Sequence, residues 1–245
     1  MNRLRRPSIL AAMLISLLTV TASAGQWQKL RGQMMQAIEQ DVRLTANYIG
    51  FTSLNKRVLE AIGEVPRHQF VPTSQIPLAY LNRPLPIGHG QTISQPYIVA
   101  LMTHLLETQE DHRVLEVGTG SAYQAAVLSR LVKKVYSMEI IDALATQARQ
   151  RLHKLGYDNV ETRLADGYYG WPEAAPFDSI IVTAAGSRIP PPLLDQLKPG
   201  GRMVLPVGDL FSVQHLILVE KAADGTLTTR QILPVRFVPL TGDHR

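Results

Sequence analysis

The strongest constraint on the fold is the regular alternation of short apolar runs with longer helical patterns from residue 113 onwards. Such alternation is typical of βαβ units, in which helices join parallel strands. Right-handed connections then place helices on both faces of the sheet. The sequence therefore predicts an α/β fold with a doubly wound, mostly parallel sheet. The predicted strands are 114–117, 135–138, 160–164, 177–182, 203–207, 213–220 and 230–238, and the predicted helices among them are 121–132, 141–155 and 190–197.

The two ends of this pattern differ from its middle. The last two predicted strands are joined by a short turn at Asp224-Gly225, so we expect them to be antiparallel to each other. Before residue 113 the chain reads mainly as helix and loop, and we expect one domain over residues 27–245 with an N-terminal helical extension at about 27–107. The predicted helices there are 27–50, a second one capped by Thr52-Ser53, and 96–107, with a loop at 84–95.

The first 24 residues have the three parts of an export signal. These are the basic residues Arg3, Arg5 and Arg6, the apolar run from Ile9 to Val20, and the small-x-small pattern Ala22-Ser23-Ala24. The apolar run is short for a membrane-spanning helix. We therefore predict that residues 1–24 are a signal peptide or an N-terminal anchor. The alternative is an apolar extension on a cytosolic protein.

Charge and composition exclude several classes of function. Three of the five net positive charges come from Arg3, Arg5 and Arg6, so the rest of the chain carries only +2 and gives no electrostatic case for nucleic-acid binding. The sequence has no cysteine, which removes thiolate nucleophiles and Cys-based zinc sites. It also lacks the His-Glu-x-x-His and Gly-x-Ser-x-Gly motifs. We expect neither a metal site nor a nucleic-acid partner.

Polar residues follow three of the predicted strands at their carboxyl ends, where open α/β sheets bind ligands. Gly118 and Gly120 form a turn after the first strand, and glycine lets a backbone approach a ligand closely. Glu139 ends the second strand and could accept hydrogen bonds from a ribose, although a surface glutamate is also common there. Asp166-Gly167 ends the third and could contact an adenine amino group or simply form a turn. Together they predict an adenosine pocket.

Two adenosine ligands compete for such a pocket, a dinucleotide and S-adenosylmethionine. The dinucleotide fingerprint requires a third glycine, and this chain has the bulky Tyr123 at that position. Glu116, beside the glycines, suits a cationic ligand better than a pyrophosphate. S-adenosylmethionine carries a cationic sulfonium, so we predict that it is the cofactor and that no metal is needed.

At this point the chain resembles a known family, the protein-L-isoaspartate O-methyltransferases. The segment VLEVGTGSAYQ (114–124) is similar to the family's first methyltransferase motif, and LPIGHGQTISQPYIV (85–99) is similar to its own signature segment. The resemblance extends over about residues 50–242. Ala122 departs from the family pattern, which has glycine there. Further similar segments are Val65-Pro66-Arg67, Phe70-Val71-Pro72, Asp166-Gly167, 176–185, 197–208 and 235–241.

The resemblance implies an activity and a set of site residues. The activity is methyl transfer from S-adenosylmethionine to the free carboxylate of L-isoaspartyl residues in damaged proteins, with D-aspartyl residues as a second acceptor class. Ser94 matches the family's active-site serine. The implied cofactor-binding residues are Gln91, Thr92, Ile93, Gly118, Gly120, Glu139, Asp166, Gly167 and Thr241.

The implied reaction asks little of acid–base chemistry. A carboxylate is already ionised at neutral pH and the leaving group is neutral, so alignment and a dry pocket are the main requirements. Our hypothesis is that the Ser94 hydroxyl holds the substrate carboxylate in line. The alternative is that Ser94 only caps the helix that begins near Pro96.

Two further functions and two locations stay open at this stage. The chain could methylate a different acceptor, or it could be a binding module that retains the pocket without catalysis. Family resemblance and cofactor supply predict the cytoplasm, whereas residues 1–24 predict the periplasm or inner-membrane anchoring. We expect isoaspartyl-bearing proteins as partners, membrane contact only through an uncleaved N-terminus, and a monomer.

Overall fold

The computed structural model describes residues 9–209 and 212–242, with side chains from residue 25. Its helices are α1 (Ile9–Leu44), α2 (Ala46–Ile49), α3 (Lys56–Glu64), α4 (Pro96–Leu105), α5 (Tyr123–Ser129), α6 (Asp142–Lys154) and α7 (Pro191–Gln196). Its strands are β1 (Leu85–Gly88), β2 (Gln91–Ile93), β3 (Arg113–Val117), β4 (Lys134–Glu139), β5 (Val160–Leu164), β6 (Phe177–Val182), β7 (Leu197–Val207), β8 (Gln214–Lys221) and β9 (Leu227–Val235). Of the predicted signal peptide or anchor at 1–24, residues 1–8 lie outside the described residues and residues 9–24 are described only as helix, so this stays a prediction.

A seven-stranded sheet in the order β5-β4-β3-β6-β7-β8-β9 organises the second half of the chain. Strands β3 to β7 are paired in parallel, and β8 is antiparallel to both of its neighbours. The predicted fold class is thereby confirmed, including the antiparallel last pair. The strand order reverses at β3, so the crevice beyond the carboxyl ends of β3 and β6 is the place where a ligand is expected.

Strand β3 lies inside the sheet, between β4 and β6, and both of its faces are buried. Val114 packs into one hydrophobic cluster, which includes the N-terminal helices, α4 and α5, whereas Leu115 and Val117 pack into a second cluster on the opposite face. All three side chains are at most 1% exposed. Apolar residues on both faces are typical of a strand that is covered on both sides, and the acidic residue of β3, Glu116, is buried with them.

The N-terminal helices pack against the first cluster. Met34, Ile38 and Val42 on α1 are spaced four residues apart and are at most 1% exposed, so they form its buried face. Where one helix was predicted over 27–50, the structure has α1 and α2, which are separated at Thr45. No helix formed by the described residues is long and apolar enough to span a membrane.

Three local predictions differ from the structure. The cap of α3 is Asn55, whose side chain accepts a hydrogen bond from the Arg57 amide at 2.9 Å, and not Thr52-Ser53. The predicted loop 84–95 contains an antiparallel hairpin made by β1 and β2. Strand β7 begins at Leu197 and continues through Gly200-Gly201, whereas the predicted strand began only at residue 203. Its pairing with β6 shifts register there, and this irregularity accommodates the two glycines.

Candidate active site

The glycine turn at the end of β3 is held by contacts that leave no room for a side chain. Gly118 has φ +95°, and a Cβ at this position would collide with Thr183 Oγ1. The Thr183 hydroxyl, at the end of β6, lies 2.7 Å from the Gly118 carbonyl oxygen and 3.1 Å from that of Val117. Gly120 also has a positive φ, of +50°. The backbone of the turn therefore forms the surface that a ligand meets.

Glu139 joins this turn to the start of α6. Its Oε2 accepts a hydrogen bond from the Gly120 amide at 2.8 Å, and its Oε1 accepts from the Ile140 and Ile141 amides, both at 3.0 Å. The side chain is 7% exposed. An ordered carboxylate thus stands at the carboxyl end of β4, where the sequence predicted an acceptor for ribose hydroxyls.

Glu116 lies beneath the turn and not in the cavity above it. The carboxyl is fully buried, accepts a hydrogen bond from the Ser137 hydroxyl and has no partner for Oε1 among the described residues. Burial raises the pKa of Glu116 to about 8; the nearby Glu139 carboxylate raises it further, and the Ser137 hydroxyl opposes the shift. A carboxyl that is largely protonated at neutral pH and does not line the cavity cannot select a cationic ligand. The prediction that Glu116 favours such a ligand was therefore wrong.

A first cavity, of about 540 Å³ including its open mouth, lies over the turn. The structure gathers seven of the nine predicted cofactor residues in its wall: Gln91, Thr92, Gly118, Gly120, Glu139, Gly167 and Thr241. Sequence reasoning missed several others: Ile140, Ile141, Thr183, Ala184 and the stretch from Val238 to Leu240. Thr183 could have been found, because it follows β6 in the same way that Glu139 ends β4.

The two remaining predicted cofactor residues are not in this wall. Ile93 is 2% exposed and belongs to the hydrophobic core. Asp166 is adjacent to the wall residue Gly167, and its Oδ1 accepts a hydrogen bond from the Tyr168 amide at 2.9 Å. Asp166 thus has the turn role that was weighed against adenine contact. Gly167 is required by close packing, because a Cβ there would collide with Val117 Cγ1.

A second cavity, of about 990 Å³ including its mouth, adjoins the first and contains Ser94 in its wall. Thr92, Thr183 and Val238 line both cavities. Its remaining lining residues are Pro84, Gln95, Ile98 and the stretch from Pro234 to Phe237. Arg236 is the one ionisable side chain among them, and it takes part in none of the ion pairs formed by the described residues.

The C-terminal stretch is fixed to the end of β6 by backbone hydrogen bonds. The Ala185 amide donates to the Val238 carbonyl at 2.8 Å, and the Leu240 amide donates to the Ala185 carbonyl at 2.7 Å. Residues far apart in the sequence therefore form one continuous wall. Val238, which belongs to this wall, lines both the cavity over the glycine turn and the cavity at Ser94.

Ser94 is held through its backbone and not through its hydroxyl. Its carbonyl oxygen accepts a hydrogen bond from Arg67 Nη2 at 2.7 Å. The cap position of α4 is Gln95, and no side chain makes a capping bond there, so the interpretation of Ser94 as a helix cap was wrong. Within the described part of the chain the Ser94 hydroxyl has no hydrogen-bond partner, and this leaves it available to the second cavity.

Arg67 connects the Ser94 segment to the helix that follows the glycine turn. Its guanidinium is fully buried, donates through Nε to the Ala79 carbonyl at 2.9 Å, and lies 4.7 Å from the centre of the Tyr123 ring. Burial lowers the pKa of Arg67 to about 10, and the neighbouring Tyr123 opposes the shift. The group remains charged at neutral pH.

Ala122 occupies a backbone conformation that favours glycine. Its φ is +69°, it is the cap position of α5, and its side chain is fully buried. This geometry gives a physical reason for the glycine that the resemblance leads one to expect at this position. The alanine keeps the same turn at the cost of strain and leaves the wall of the first cavity unchanged, since it does not line it.

A family model, curated relatives and solved structures all relate this chain to protein-L-isoaspartate O-methyltransferases. The family model "Protein-L-isoaspartate(D-aspartate) O-methyltransferase" matches residues 44–245. Among curated relatives, a protein-L-isoaspartate O-methyltransferase 2 of Polaromonas sp. is 65% identical over 211 residues, covering 86% of this chain and all of that protein. Another, from Syntrophobacter fumaroxidans, is 57% identical over 247 residues and covers both chains completely.

Solved structures show the same likeness. A protein-L-isoaspartate O-methyltransferase is 30% identical, with a TM-score of 0.76, over 87% of this chain and 66% of that one. A Plasmodium falciparum structure, solved in complex with S-adenosyl-L-homocysteine, is 21% identical with a TM-score of 0.72. It covers 88% of this chain and 98% of the other, and at this identity the likeness is one of fold.

Proposed function

The chain belongs to the protein-L-isoaspartate(D-aspartate) O-methyltransferase family, and from that premise we propose that it methylates isoaspartyl residues of damaged proteins, with S-adenosylmethionine as methyl donor. One observation carries the assignment of sites: two cavities adjoin and share Thr92, Thr183 and Val238. The smaller is built on the glycine turn and suits the donor. The larger contains Ser94 and suits the acceptor. The methyl group passes from donor to acceptor where the two cavities meet, beside these three shared residues.

The residues of the first cavity fit an adenosyl ligand. Positive φ at Gly118 and Gly120 keeps side chains out of the way, and the Glu139 carboxylate stands where ribose hydroxyls can donate to it. We assign the same pocket to Gln91, Thr92, Gly167 and Thr241, with Asp166 beside it. S-adenosylmethionine supplies a methyl group on a cationic sulfur, which departs as a neutral thioether.

The second cavity fits an acceptor that is itself an anion. A peptide carboxylate is ionised at neutral pH, so no general base is needed to activate it. The Ser94 hydroxyl donates a hydrogen bond to the carboxylate and holds it in line with the methyl group. Arg236 contributes positive charge to the same wall and attracts the acceptor. D-aspartyl residues, which also present a displaced carboxylate, are a second acceptor class.

Replacement of Ser94 tests this assignment. We expect Ser94→Ala to lower kcat/KM for an isoaspartyl peptide by about 10- to 100-fold, because a hydrogen bond to a charged group contributes roughly 1.5–3 kcal/mol. The affinity for S-adenosyl-L-homocysteine should stay unchanged. The exposed Ser53, replaced by alanine, is the matched control. A Ser94→Ala rate near that of wild type would remove the positioning role.

The acceptor class needs its own control. The same peptide with an ordinary aspartyl linkage should not be methylated by the wild-type chain. Methylation of both peptides, or of neither, would contradict isoaspartyl repair. Cofactor binding without transfer to any acceptor would instead indicate a binding module.

We propose that the enzyme acts as a monomer in the cytoplasm, where its methyl donor is made. Residues 1–24 support the competing location, the periplasm or the inner membrane. N-terminal sequencing of the protein isolated from its own cells tests for cleavage, and its recovery in the membrane or the soluble fraction tests for an uncleaved anchor. A mature chain that begins at Gly25 would establish cleavage and overturn the cytoplasmic assignment.

A further inference from the structure

A carboxylate on helix α1, that of Asp41, binds the side chain of Gln95, the residue next to Ser94. Asp41 Oδ2 accepts hydrogen bonds from Asn82 Nδ2 at 2.8 Å and from Gln95 Nε2 at 3.2 Å. Gln95 is the residue after Ser94 and lines the same cavity. The carboxylate of α1 thus lies one side chain away from the proposed acceptor site.

A second set of contacts leads from the same turn of α1 to the start of α4. Asn82 Oδ1 accepts a hydrogen bond from the Tyr97 amide at 3.0 Å. The Thr45 hydroxyl donates to the Asp41 carbonyl at 2.8 Å and lies 2.5 Å from the Tyr97 hydroxyl. Both routes converge on the residues that directly follow Ser94, so they limit how α4 can shift relative to α1.

The opposite side of Ser94 is held by Arg67, which binds its carbonyl oxygen. Two charged side chains therefore restrain the Ser94 segment. The buried Arg67 binds the Ser94 carbonyl, and the half-buried Asp41 binds the side chain of Gln95. Without Asp41, the amide groups of Asn82 and Gln95 lose their common acceptor. The Ser94 segment would then lose the restraint that reaches it through Gln95 and keep the Arg67 bond to the Ser94 carbonyl.

We propose that Asp41 is a positioning residue that orients Ser94 toward the acceptor carboxylate by way of Gln95 and Asn82. The inference rests on the proposed function, because it gives Ser94 the positioning role in methyl transfer. Asp41 precedes residue 44, where the match to the family model begins. The chain thus supplies this restraint from outside the region that the family model covers.

Asp41 differs from the residues that anchor α1 in the core. The buried face of the helix is formed by Met34, Ile38 and Val42, whereas the Asp41 carboxylate accepts hydrogen bonds beside it. Its removal should therefore leave α1 in place and loosen the Ser94 segment. A misplacement of about 1 Å at a reacting group can cost about a hundredfold in rate, so a partial loosening predicts a smaller loss.

The test compares three variants with the wild-type chain. We expect Asp41→Ala to lower kcat/KM for an isoaspartyl peptide about tenfold, while affinity for S-adenosyl-L-homocysteine changes less than about twofold. Asp41→Asn should restore activity, because its amide oxygen can accept both hydrogen bonds. Glu39→Ala is the matched control, since Glu39 is exposed on the same helix and pairs with Arg43 on that helix.

A double-variant cycle separates positioning from a general structural role. If Asp41 acts through Ser94, Asp41→Ala should have almost no further effect in a Ser94→Ala background. Equal losses in both backgrounds would overturn the inference, as would an Asp41→Ala variant with wild-type kinetics. A parallel loss of cofactor affinity would also overturn it, because the first cavity does not include these residues.

Gln95→Leu keeps the experiment decisive if Asp41→Ala does not fold. This variant removes the same contact from the other end and preserves bulk, so the inference requires a similar fall in kcat/KM. An unchanged value would overturn it. A wild-type chain that is inactive on isoaspartyl peptides would overturn the proposed function and the inference together, whereas an active wild type with unaffected variants overturns the inference alone.

Discussion

The glycine turn and the Ser94 segment adjoin each other but are built by different means. The turn is fixed by positive φ angles at Gly118 and Gly120 and by two side chains at the ends of the neighbouring strands, Glu139 and Thr183. The Ser94 segment is fixed by side chains from distant parts of the chain, Arg67 and Asp41. A ligand wall made of backbone is specified by a short motif. A wall made by remote side chains is specified only by the folded structure.

The largest expected effect comes from the Glu116 carboxyl, which is buried beneath the glycine turn. It tests whether the stability of the turn depends on a side chain as well as on its backbone. The pKa of Glu116 is raised from its ordinary value of 4.5 to about 8. The folded state therefore holds this proton more tightly than the unfolded state. Its contribution to stability is complete below about pH 4.5 and is lost as the pH rises through about 8.

Glu116→Gln removes this titration and keeps the shape of the side chain. The quantity to follow is the difference in free energy of unfolding between the wild type and the variant. This difference should fall by on the order of 4 kcal/mol between about pH 5 and pH 8 and stay constant at higher pH. Urea denaturation of both proteins at several pH values measures it. A constant difference would mean that Glu116 titrates normally and that the turn tolerates a buried charge.

The next effect concerns the turn itself. Gly118→Ala should lower the free energy of unfolding by about 3 kcal/mol, because it adds backbone strain to a collision with Thr183. It should also abolish measurable binding of S-adenosyl-L-homocysteine in calorimetric titration. Gly156→Ala is the matched control: φ there is +74° but a Cβ would have no neighbour within 4 Å. We expect about 1 kcal/mol for it and unchanged binding.

The smallest expected effect is at Ala122, where backbone strain opposes the packing of a methyl group. Ala122→Gly should raise the free energy of unfolding by about 0.5 kcal/mol, since relief of the left-handed strain slightly exceeds the loss of a buried methyl group. Thermal unfolding of the two proteins side by side measures the sign. Destabilisation would show that packing of the methyl group outweighs backbone strain at this position.

Local patterns account for the parts of the fold that were predicted correctly. The predicted strands 160–164 and 177–182 have the same bounds as β5 and β6, because turn-forming residues next to them mark where each strand begins and ends. The hairpin at 85–93 was missed, since its prolines and glycines read as loop. The start of β7 was missed for the same reason, as Pro199-Gly200-Gly201 usually interrupts a strand and here lies within one.

The residues of the site likewise fall into those that local sequence patterns could place and those that they could not. Residues that follow strands, such as Gly118 and Glu139, could be placed from the sequence because parallel strands end at one edge. Ile93 was misplaced by adjacency: it alternates with Thr92 along β2 and faces the core. The contacts of Arg67 and Asp41 with the Ser94 segment could not be predicted, since no periodicity relates side chains 27 and 54 residues distant from their partners.

The shared wall of Thr92, Thr183 and Val238 also bears on how this protein could be inhibited. A single molecule that joins an adenosyl group to a carboxylate-bearing arm would reach across that wall and occupy both cavities at once. Its second contact would then form at the high effective concentration set by a short linker, so the two binding free energies would combine. Because the arm would enter a cavity shaped by Asp41 and Arg236, such a compound would distinguish this protein from methyltransferases that share only the glycine turn.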